Sequence, residues 1–228
     1  MEYIETFERV EHKYLLTKNQ AKQFYELIQD YIQEDIYPHY SLYNIYFDSN
    51  DYQMISKSIE GPKYKEKLRI RSYGDISDND FIYVEMKKKY NGIVYKRRIQ
   101  VDSKQINTCF ENPSQIGEEI TYLKQFYNAD KKVFISYDRD AYFAKQEKDV
   151  RVTFDTNLRY RLNDLCLSST NEDQRILDED KVLLEIKVMD RYPLWLIHTL
   201  SQLKLQRTSF SKYGTIYTNI LKERNQYV

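Results

Sequence analysis

Short runs in which cationic and apolar residues alternate constrain the fold of this chain more than any other feature. In the run KLRIR, Lys67, Arg69 and Arg71 fall on one side of an extended backbone and the two apolar residues on the other, because successive side chains of a strand point to opposite faces. In the run LEIKV, Glu185 and Lys187 share a face in the same way. The pattern predicts several β-strands, each with one apolar and one charged face.

Eight runs with an alternation of period two are rich in Val, Ile, Tyr and Phe, which are the residues that strands favour. Asn91 and Gly92, between two of the runs, predict a hairpin turn because both residues tolerate a positive φ. The strands are predicted over 7–14, 43–48, 65–73, 81–89, 93–101, 133–142, 149–155 and 182–188.

Helical spacing of apolar residues is confined to four segments. Thr17 is expected to cap a helix that runs to about residue 35, and Ser114 is expected to cap a second helix. Pro193 suits the first turn of a third helix through Leu205, and Ser211 opens a last one. Many antiparallel strands with a few helices outside them predict an α+β, barrel-like architecture.

The charge balance excludes one class of binding protein. The chain has 228 residues with 35 Lys plus Arg against 35 Asp plus Glu, whereas a bulk binder of nucleic acid or anionic membrane carries a net basic excess. With only 5 Gly and 4 Pro, long flexible linkers are not expected. We therefore predict a single domain over 1–228 and no nucleic-acid partner.

The sequence also predicts the compartment. The N-terminal residues carry four glutamates without an apolar core, unlike a signal peptide, and the apolar stretch 193–197 is far too short to span a bilayer. Cys109 and Cys166 form neither a disulfide framework nor a metal knuckle, so we expect free thiols. We predict a cytoplasmic protein without direct membrane insertion.

Two arrangements explain the charged strand faces. A sheet with one solvated face alternates in this way with ordinary surface residues. The charged faces are mostly basic, however, and Arg suits bidentate contacts with phosphate or carboxylate. Several such strands would then line an anion-binding groove or a barrel interior.

Nine ordered segments carry a resemblance to a known family. The chain resembles the VTC domain, which is the polyphosphate polymerase domain of the vacuolar transporter chaperone family and its bacterial relatives. That domain belongs to the triphosphate tunnel metalloenzyme superfamily, with the CYTH proteins. The matching segments are 7–16, 67–74, 84–89, 95–98, 137–142, 150–157, 184–188, 193–196 and 209–214.

The resemblance implies an eight-stranded antiparallel β-barrel with a basic lumen and helices packed outside. It implies a polyphosphate polymerase-like enzyme that transfers the γ-phosphate of ATP to a polyphosphate chain with Mn²⁺ or Mg²⁺. Glu185 is the implied metal ligand, and the implied catalytic residues are Lys13, Arg69, Arg71, Lys87, Arg139, Arg151 and Glu185. The implied phosphate-binding residues are Arg9, Lys13, Lys67, Arg69, Arg71, Lys87, Lys96, Arg139, Arg151, Lys187, Ser211 and Lys212.

One departure from the superfamily pattern bears on function. CYTH proteins carry ExExK on the first strand, and the same spacing here reads Arg9, Glu11 and Lys13. The loss of the first glutamate favours the polymerase-like branch over a CYTH-type triphosphatase or a class IV adenylyl cyclase. Glu11 is expected to orient Lys13 or Arg9, with a water-mediated metal role as the alternative.

Other functions remain open at this stage. The same residues suit a hydrolase of triphosphate or polyphosphate, and they also suit a non-catalytic polyphosphate-binding module. The expected partners are ATP and inorganic polyphosphate or triphosphate, with a membrane-protein partner as a further expectation.

Overall fold

The computed structural model describes residues 5–7, 10–61, 63–78, 80–91, 93–170, 172–189 and 191–226. Within them, one antiparallel sheet of eleven strands is accompanied by five α-helices. The strands are β1 Glu5–Phe7, β2 Val10–Thr17, β3 Ile32–Asp48, β4 Tyr64–Tyr73, β5 Phe81–Tyr90, β6 Ile93–Asp102, β7 Asp130–Ala144, β8 Arg151–Arg161, β9 Gln174–Arg175, β10 Lys181–Val188 and β11 Arg207–Thr208. The helices are α1 Lys18–Ile28, α2 Gln53–Glu60, α3 Gln115–Phe126, α4 Leu194–Gln202 and α5 Lys212–Gln226.

The strand pairing confirms the α+β class but not a closed eight-stranded barrel. The hydrogen-bonded order is β1-β6-β5-β4-β3-β7-β8-β10-β2-β11, with β9 added to β8. Across the described ranges no ladder joins the two ends of this path, and three of the eleven strands have only two or three residues. Strand β1 at one end of the path and β2, the last strand but one at the other end, are close along the chain, because only residues 8 and 9 separate them.

The sheet nevertheless curves around a common interior. β2 and β5 lie six strand positions apart in the sheet order, which would separate them by roughly 29 Å in a flat sheet. Yet the Glu11 carboxylate on β2 lies 3.7 Å from the Lys87 ammonium on β5. Side chains of this length reach each other only if the sheet bends round, so the charged faces of the strands look inward.

The predicted helix caps are present at two of the helix starts. Thr17 and Gln20 form a capping box at the start of α1, since the Thr17 hydroxyl accepts from the Gln20 N–H at 3.2 Å and the Gln20 side chain accepts from the Thr17 N–H at 3.0 Å. At the start of α3, the Ser114 hydroxyl accepts from the Gly117 N–H at 3.1 Å. A Cβ at Gly117 would lie 2.2 Å from the Asn112 carbonyl oxygen, so this close approach requires glycine.

Three helix boundaries differ from the sequence prediction. Helix α1 ends at Ile28 rather than near residue 35, because Ile32 already pairs with Ala144 in the sheet. Helix α4 begins after Pro193, which is its N-cap, and ends before Leu205. Helix α2 was not predicted at all.

Helix α2 owes its start to a buried carboxylate. The Asp48 side chain accepts hydrogen bonds from the N–H groups of Met54 at 2.8 Å and Ile55 at 3.0 Å. It also accepts from the Tyr213 hydroxyl at 3.1 Å, which ties α2 to α5. Asp48 lies six positions before Met54, so a search for local capping patterns misses it.

Three apolar clusters fix the helices on the sheet. Helix α3 packs on the outer face of β3, β4, β5 and β6. Helices α1 and α4 pack on the outer face of β2, β8 and β10. Helices α2 and α5 pack with Tyr46, Tyr137 and Leu183 on the inner side. The part of the chain that the structure describes contains no helix with the length and apolar character needed to cross a bilayer.

Candidate active site

The curved sheet and α5 surround a cavity of about 270 Å³ that is lined mainly by charged side chains. Its walls come from β2, β3, β4, β5, β6, β7 and β10, with α5 on one side. Three carboxylates line it, those of Glu11, Glu85 and Glu185, against nine cations. The nine cations are Lys13, Lys67, Arg69, Arg71, Lys87, Lys96, Arg139, Lys187 and Lys212.

The cavity collects most of the residues that the sequence marked as a phosphate site. All nine of its cations belong to the twelve predicted phosphate-binding residues, and Ser211 is a tenth. The predicted metal ligand Glu185 also lines the cavity. Arg9 lies outside the described residues. Arg151 does not line the cavity.

Arg151 occupies a position beside the cavity. On β8 it is in register with Lys187 of β10, so it projects from the face that bears the cavity residues. Its Nη2 atom lies 2.5 Å from the Asp35 carboxylate, and its buried Nε atom has no hydrogen-bond partner in the described residues. The implied contact of Arg151 with phosphate therefore stays a prediction.

Glu85 organises the cations of β4 and β6. Its carboxylate accepts from Arg69 Nε at 2.8 Å and from Arg69 Nη2 at 2.6 Å, and the Lys96 ammonium lies 2.9 Å from its other oxygen. Burial raises the pKa of Glu85, but Arg71, Arg69 and Lys96 outweigh burial and hold the pKa well below its usual value. Glu85 is therefore ionised and holds these cations in place.

Glu185 plays the same part on the opposite side. Its carboxylate lies 3.3 Å from both Lys187 and Arg139 and 3.5 Å from Lys13. Burial again raises its pKa, and Lys187, Arg139 and Lys13 together hold the pKa well below the usual value. The ionised carboxylate is in the form that a divalent cation requires of an oxygen ligand.

Asp155 is a site residue that the sequence interpretation missed. It is fully buried, accepts from Arg139 Nε at 2.6 Å and contacts Lys212 at 2.6 Å. Burial raises the pKa of Asp155, and Lys212 and Arg139 reverse this and lower it. The available signal was strand parity, since Asp155 shares a face of β8 with Arg151 and Thr153.

Two carboxylates could hold a divalent ion. Glu11 lies 3.3 Å from the Lys13 ammonium, and Glu185 lies 3.5 Å from it, so both converge on one position. The described residues contain no cluster of three or more metal-ligating side chains. The donor set fits a hard ion such as Mg²⁺, which binds through one or two carboxylates and completes its shell with phosphate oxygens and water.

Lys67 differs from the other lining cations. Its ammonium makes no ion pair with any carboxylate in the described ranges, and its polar contact is the Ser211 hydroxyl at 3.4 Å. Burial and the charges of Lys13, Lys87 and Arg69 lower the pKa of Lys67 to about 8, against the opposing influence of Tyr46. Among the described residues, Lys67 thus has no carboxylate counter-ion.

Tyr46 brings a hydroxyl to the same cationic wall. Its oxygen accepts from Arg69 Nη1 at 2.9 Å. Burial raises its pKa, but Arg69, Lys67 and Arg71 outweigh burial and lower the pKa to about 8. The wall therefore stabilises negative charge even on a phenol, which is the property that a phosphate-binding site requires.

Comparison with protein families agrees with this geometry. The model of the VTC domain matches residues 8–220, which is nearly the whole chain. The chain belongs to the VTC domain family. A comparison with curated protein sequences finds no match.

Solved structures with the same fold come from distant proteins. A candidate adenylate cyclase from Bacillus halodurans aligns with a TM-score of 0.58 at 12% identity, over 90% of this chain and 95% of its own. A candidate adenylyl cyclase from Hippeastrum, described as having a dominant triphosphatase activity, aligns with a TM-score of 0.54 at 12% identity, over 92% and 96%. At these identities the likeness concerns the fold alone.

Proposed function

We propose that this VTC-domain protein is a polyphosphate polymerase-like enzyme that transfers the γ-phosphate of ATP to a polyphosphate chain inside the basic cavity. The observation that supports the proposal is the collection of nine cations around one cavity in a chain of this family. In this proposal the eight long strands serve as the wall of a phosphate tunnel, and the covalent link between β1 and β2 takes the place of a closing ladder.

The chemistry suits these residue types. Phosphoryl transfer depends on alignment and charge neutralisation more than on a protein nucleophile. Lys13, Arg69, Arg71, Lys87 and Arg139 would neutralise the non-bridging oxygens and hold donor and acceptor phosphates in line. They act from a buried wall, where electrostatic stabilisation is stronger than in water.

A divalent ion completes the proposal. Glu185, with Glu11 beside it, would hold Mn²⁺ or Mg²⁺ next to the phosphates, where the ion neutralises charge on the transferring group. Arg151 would add a further phosphate contact if it leaves Asp35. The Ser211 hydroxyl and Lys212 would contribute at the start of α5, where backbone N–H groups favour an anion.

The ion pairs of the cavity explain how these cations stay in place. Each of Glu11, Glu85, Glu185 and Asp155 holds two or three cations that would otherwise repel one another. A phosphate chain supplies competing anionic oxygens at the same positions. Binding then exchanges one set of charge-assisted contacts for another rather than building the site from disordered side chains.

The decisive experiment follows the products of ATP. Purified protein is incubated with ATP and Mn²⁺ or Mg²⁺, ADP release is measured, and long-chain polyphosphate is detected on a gel. A Glu185→Gln variant serves as the metal-site control. Tight binding of polyphosphate without any ADP or polymer would refute polymerisation and leave a binding module.

A hydrolase is the second candidate, favoured by the triphosphatase activity described for the Hippeastrum structure. Orthophosphate release from tripolyphosphate without chain growth would select it. We propose the cytoplasm as the location because ATP is available there, and a membrane protein as the partner that would move the polymer onward.

A further inference from the structure

The strand pair β4 and β5 carries an unusual arrangement of lysines on its inner face. Lys67 pairs directly with Lys87, and one rung further out Lys65 pairs directly with Lys89. Like charges directly opposite each other in an antiparallel pair are destabilising. Two consecutive rungs of this kind therefore call for a physical reason.

The outer face of the same two strands supplies an internal comparison. There Glu66 pairs with Lys88, whose ammonium lies 3.7 Å from the carboxylate, and Leu68 pairs with Met86. These rungs follow the usual rule of complementary or apolar partners. The like-charged rungs are thus a property of the inner face and not of the strands in general.

Neither lysine of the outer rung is neutralised by a carboxylate of the described chain. The Lys65 ammonium donates to the Ser58 carbonyl at 2.9 Å, which uses one of its three N–H groups. Lys89 is exposed to solvent. Charge that the described residues do not compensate is available to an anion from outside.

The position of the rung tells where that anion comes from. Lys67 and Lys87 line the cavity, whereas Lys65 and Lys89 do not. Residues two apart on a strand share a face about 7 Å apart, so the second rung continues the basic wall just beyond the cavity. It lies towards the turn at Asn91, at the end of β5 and the start of β6.

We propose that Lys65 and Lys89 form a subsite for the part of a phosphate chain that extends beyond the cavity. The subsite binds a linear polyanion longer than triphosphate. Triphosphate itself contacts only the cations inside the cavity. The inference rests on the proposed function, because only a polymer has a segment that reaches outside the cavity. It identifies the β4–β5 end as the route of the chain.

The test compares two ligands of the same chemistry and different length. Binding of tripolyphosphate and of a long-chain polyphosphate to the full-length protein is measured by calorimetry at several salt concentrations, without nucleotide. The variants are Lys65→Gln with Lys89→Gln, each also made singly, and Lys88→Gln as the control. Lys88→Gln is the matched control because this substitution removes one lysine from the same strand, but from its opposite face.

We expect the double variant to bind tripolyphosphate as the wild type does and to bind long-chain polyphosphate about tenfold more weakly. Because two cations no longer release counter-ions, the slope of log K against log salt should fall in magnitude by about 1 to 2 for the long chain only. Lys88→Gln should change neither ligand. Circular dichroism and the melting temperature of each variant establish that it is folded.

Three results would overturn the inference: an unchanged affinity for the long chain, an equal loss for both ligands, or an equal loss in the Lys88→Gln control. Failure of the proposed polymerase is distinguishable from these results. If the wild type makes no polymer from ATP but the double variant still binds long-chain polyphosphate more weakly than the wild type does, the polymerase proposal fails and the subsite stands. A wild type that binds tripolyphosphate but no long chain overturns the subsite and leaves a triphosphatase.

Discussion

Replacement of Lys67 by Met should stabilise the empty protein and weaken phosphate binding at the same time. Lys67 is a lining cation without a carboxylate partner among the described residues, and its surroundings lower its pKa from 10.5 to about 8. The folded state therefore disfavours the charged form. Methionine keeps the unbranched stem and removes the charge.

The magnitude follows from the pKa. Each tenfold change in proton affinity corresponds to about 1.4 kcal/mol, so the full shift amounts to roughly 3 kcal/mol. Because the Lys67 side chain is partly exposed to solvent, screening weakens the effect, and we reduce the expected stabilisation to about 1–2 kcal/mol. For a chain of this size that corresponds to a rise of roughly 2–8 °C in melting temperature.

The effect of Lys67 on the stability of the folded protein depends on pH. Below pH 8 Lys67 is charged in both states, so its destabilising effect is fully present. Between about pH 8 and 10.5 the unfolded chain binds more protons than the folded one, and the stability of the wild type rises with pH. The advantage of Lys67→Met should accordingly be largest near pH 7 and absent above about pH 10.5.

Thermal unfolding of wild type, Lys67→Met and Lys67→Arg at pH 7 and at high pH measures this effect. Titration with tripolyphosphate at pH 7 should show an affinity lower by about 10- to 100-fold for Lys67→Met, the loss expected for a hydrogen bond to a charged group. Lys67→Arg should retain binding. A lower melting temperature for Lys67→Met at pH 7, or unchanged affinity, would refute the assignment of Lys67 as an uncompensated cation.

Three further predictions concern the same cavity. Glu185→Gln should abolish metal-dependent turnover, measured as ADP release, while metal-free binding of tripolyphosphate stays equal or tightens because a competing anion is lost. Asp35→Asn should release Arg151 and tighten polyphosphate binding severalfold in calorimetry, and Arg151→Ala in the same background should remove the gain. Tripolyphosphate affinity should fall as pH rises through about 8, because Lys67 and Lys96, each with a pKa of about 8, then lose their charge in the empty cavity; a flat profile from pH 7 to 9.5 would contradict this.

The strand faces could be predicted from the sequence because alternation is a local property. Arg69 and Arg71 share a face in any strand that contains both, and by the same rule Lys88 points away from Lys87 and Lys89. The long-range pairing could not be predicted in this way. Whether Ile32 extends a helix or begins a strand is decided by Ala144, more than a hundred residues away.

The positively charged residues of the site could be predicted from the sequence better than the negatively charged ones. The cations stood out because Lys and Arg recur at every second position of several strands. Among the compensating acids, Glu11 and Glu185 were predicted from the sequence, but Asp155 was not, since it is one aspartate among many until the fold places it against Arg139 and Lys212. Tyr46 was missed for a similar reason, because its role depends on the guanidinium of a neighbouring strand.

The pattern of compensation indicates where a phosphate chain binds first. Glu85, Glu185 and Asp155 already occupy most of the arginines and lysines that surround them, so phosphate must displace a carboxylate there. Lys67 has no such partner in the described part of the chain, and the adjoining rung of Lys65 and Lys89 has none either. A polyanion therefore meets the least competition at Lys65, Lys67 and Lys89, and we expect it to bind these lysines before it reaches the arginines. In this chain with no net charge, the acids hold most of the cavity cations in ion pairs, and among the described residues Lys67, Lys65 and Lys89 are left without a carboxylate partner.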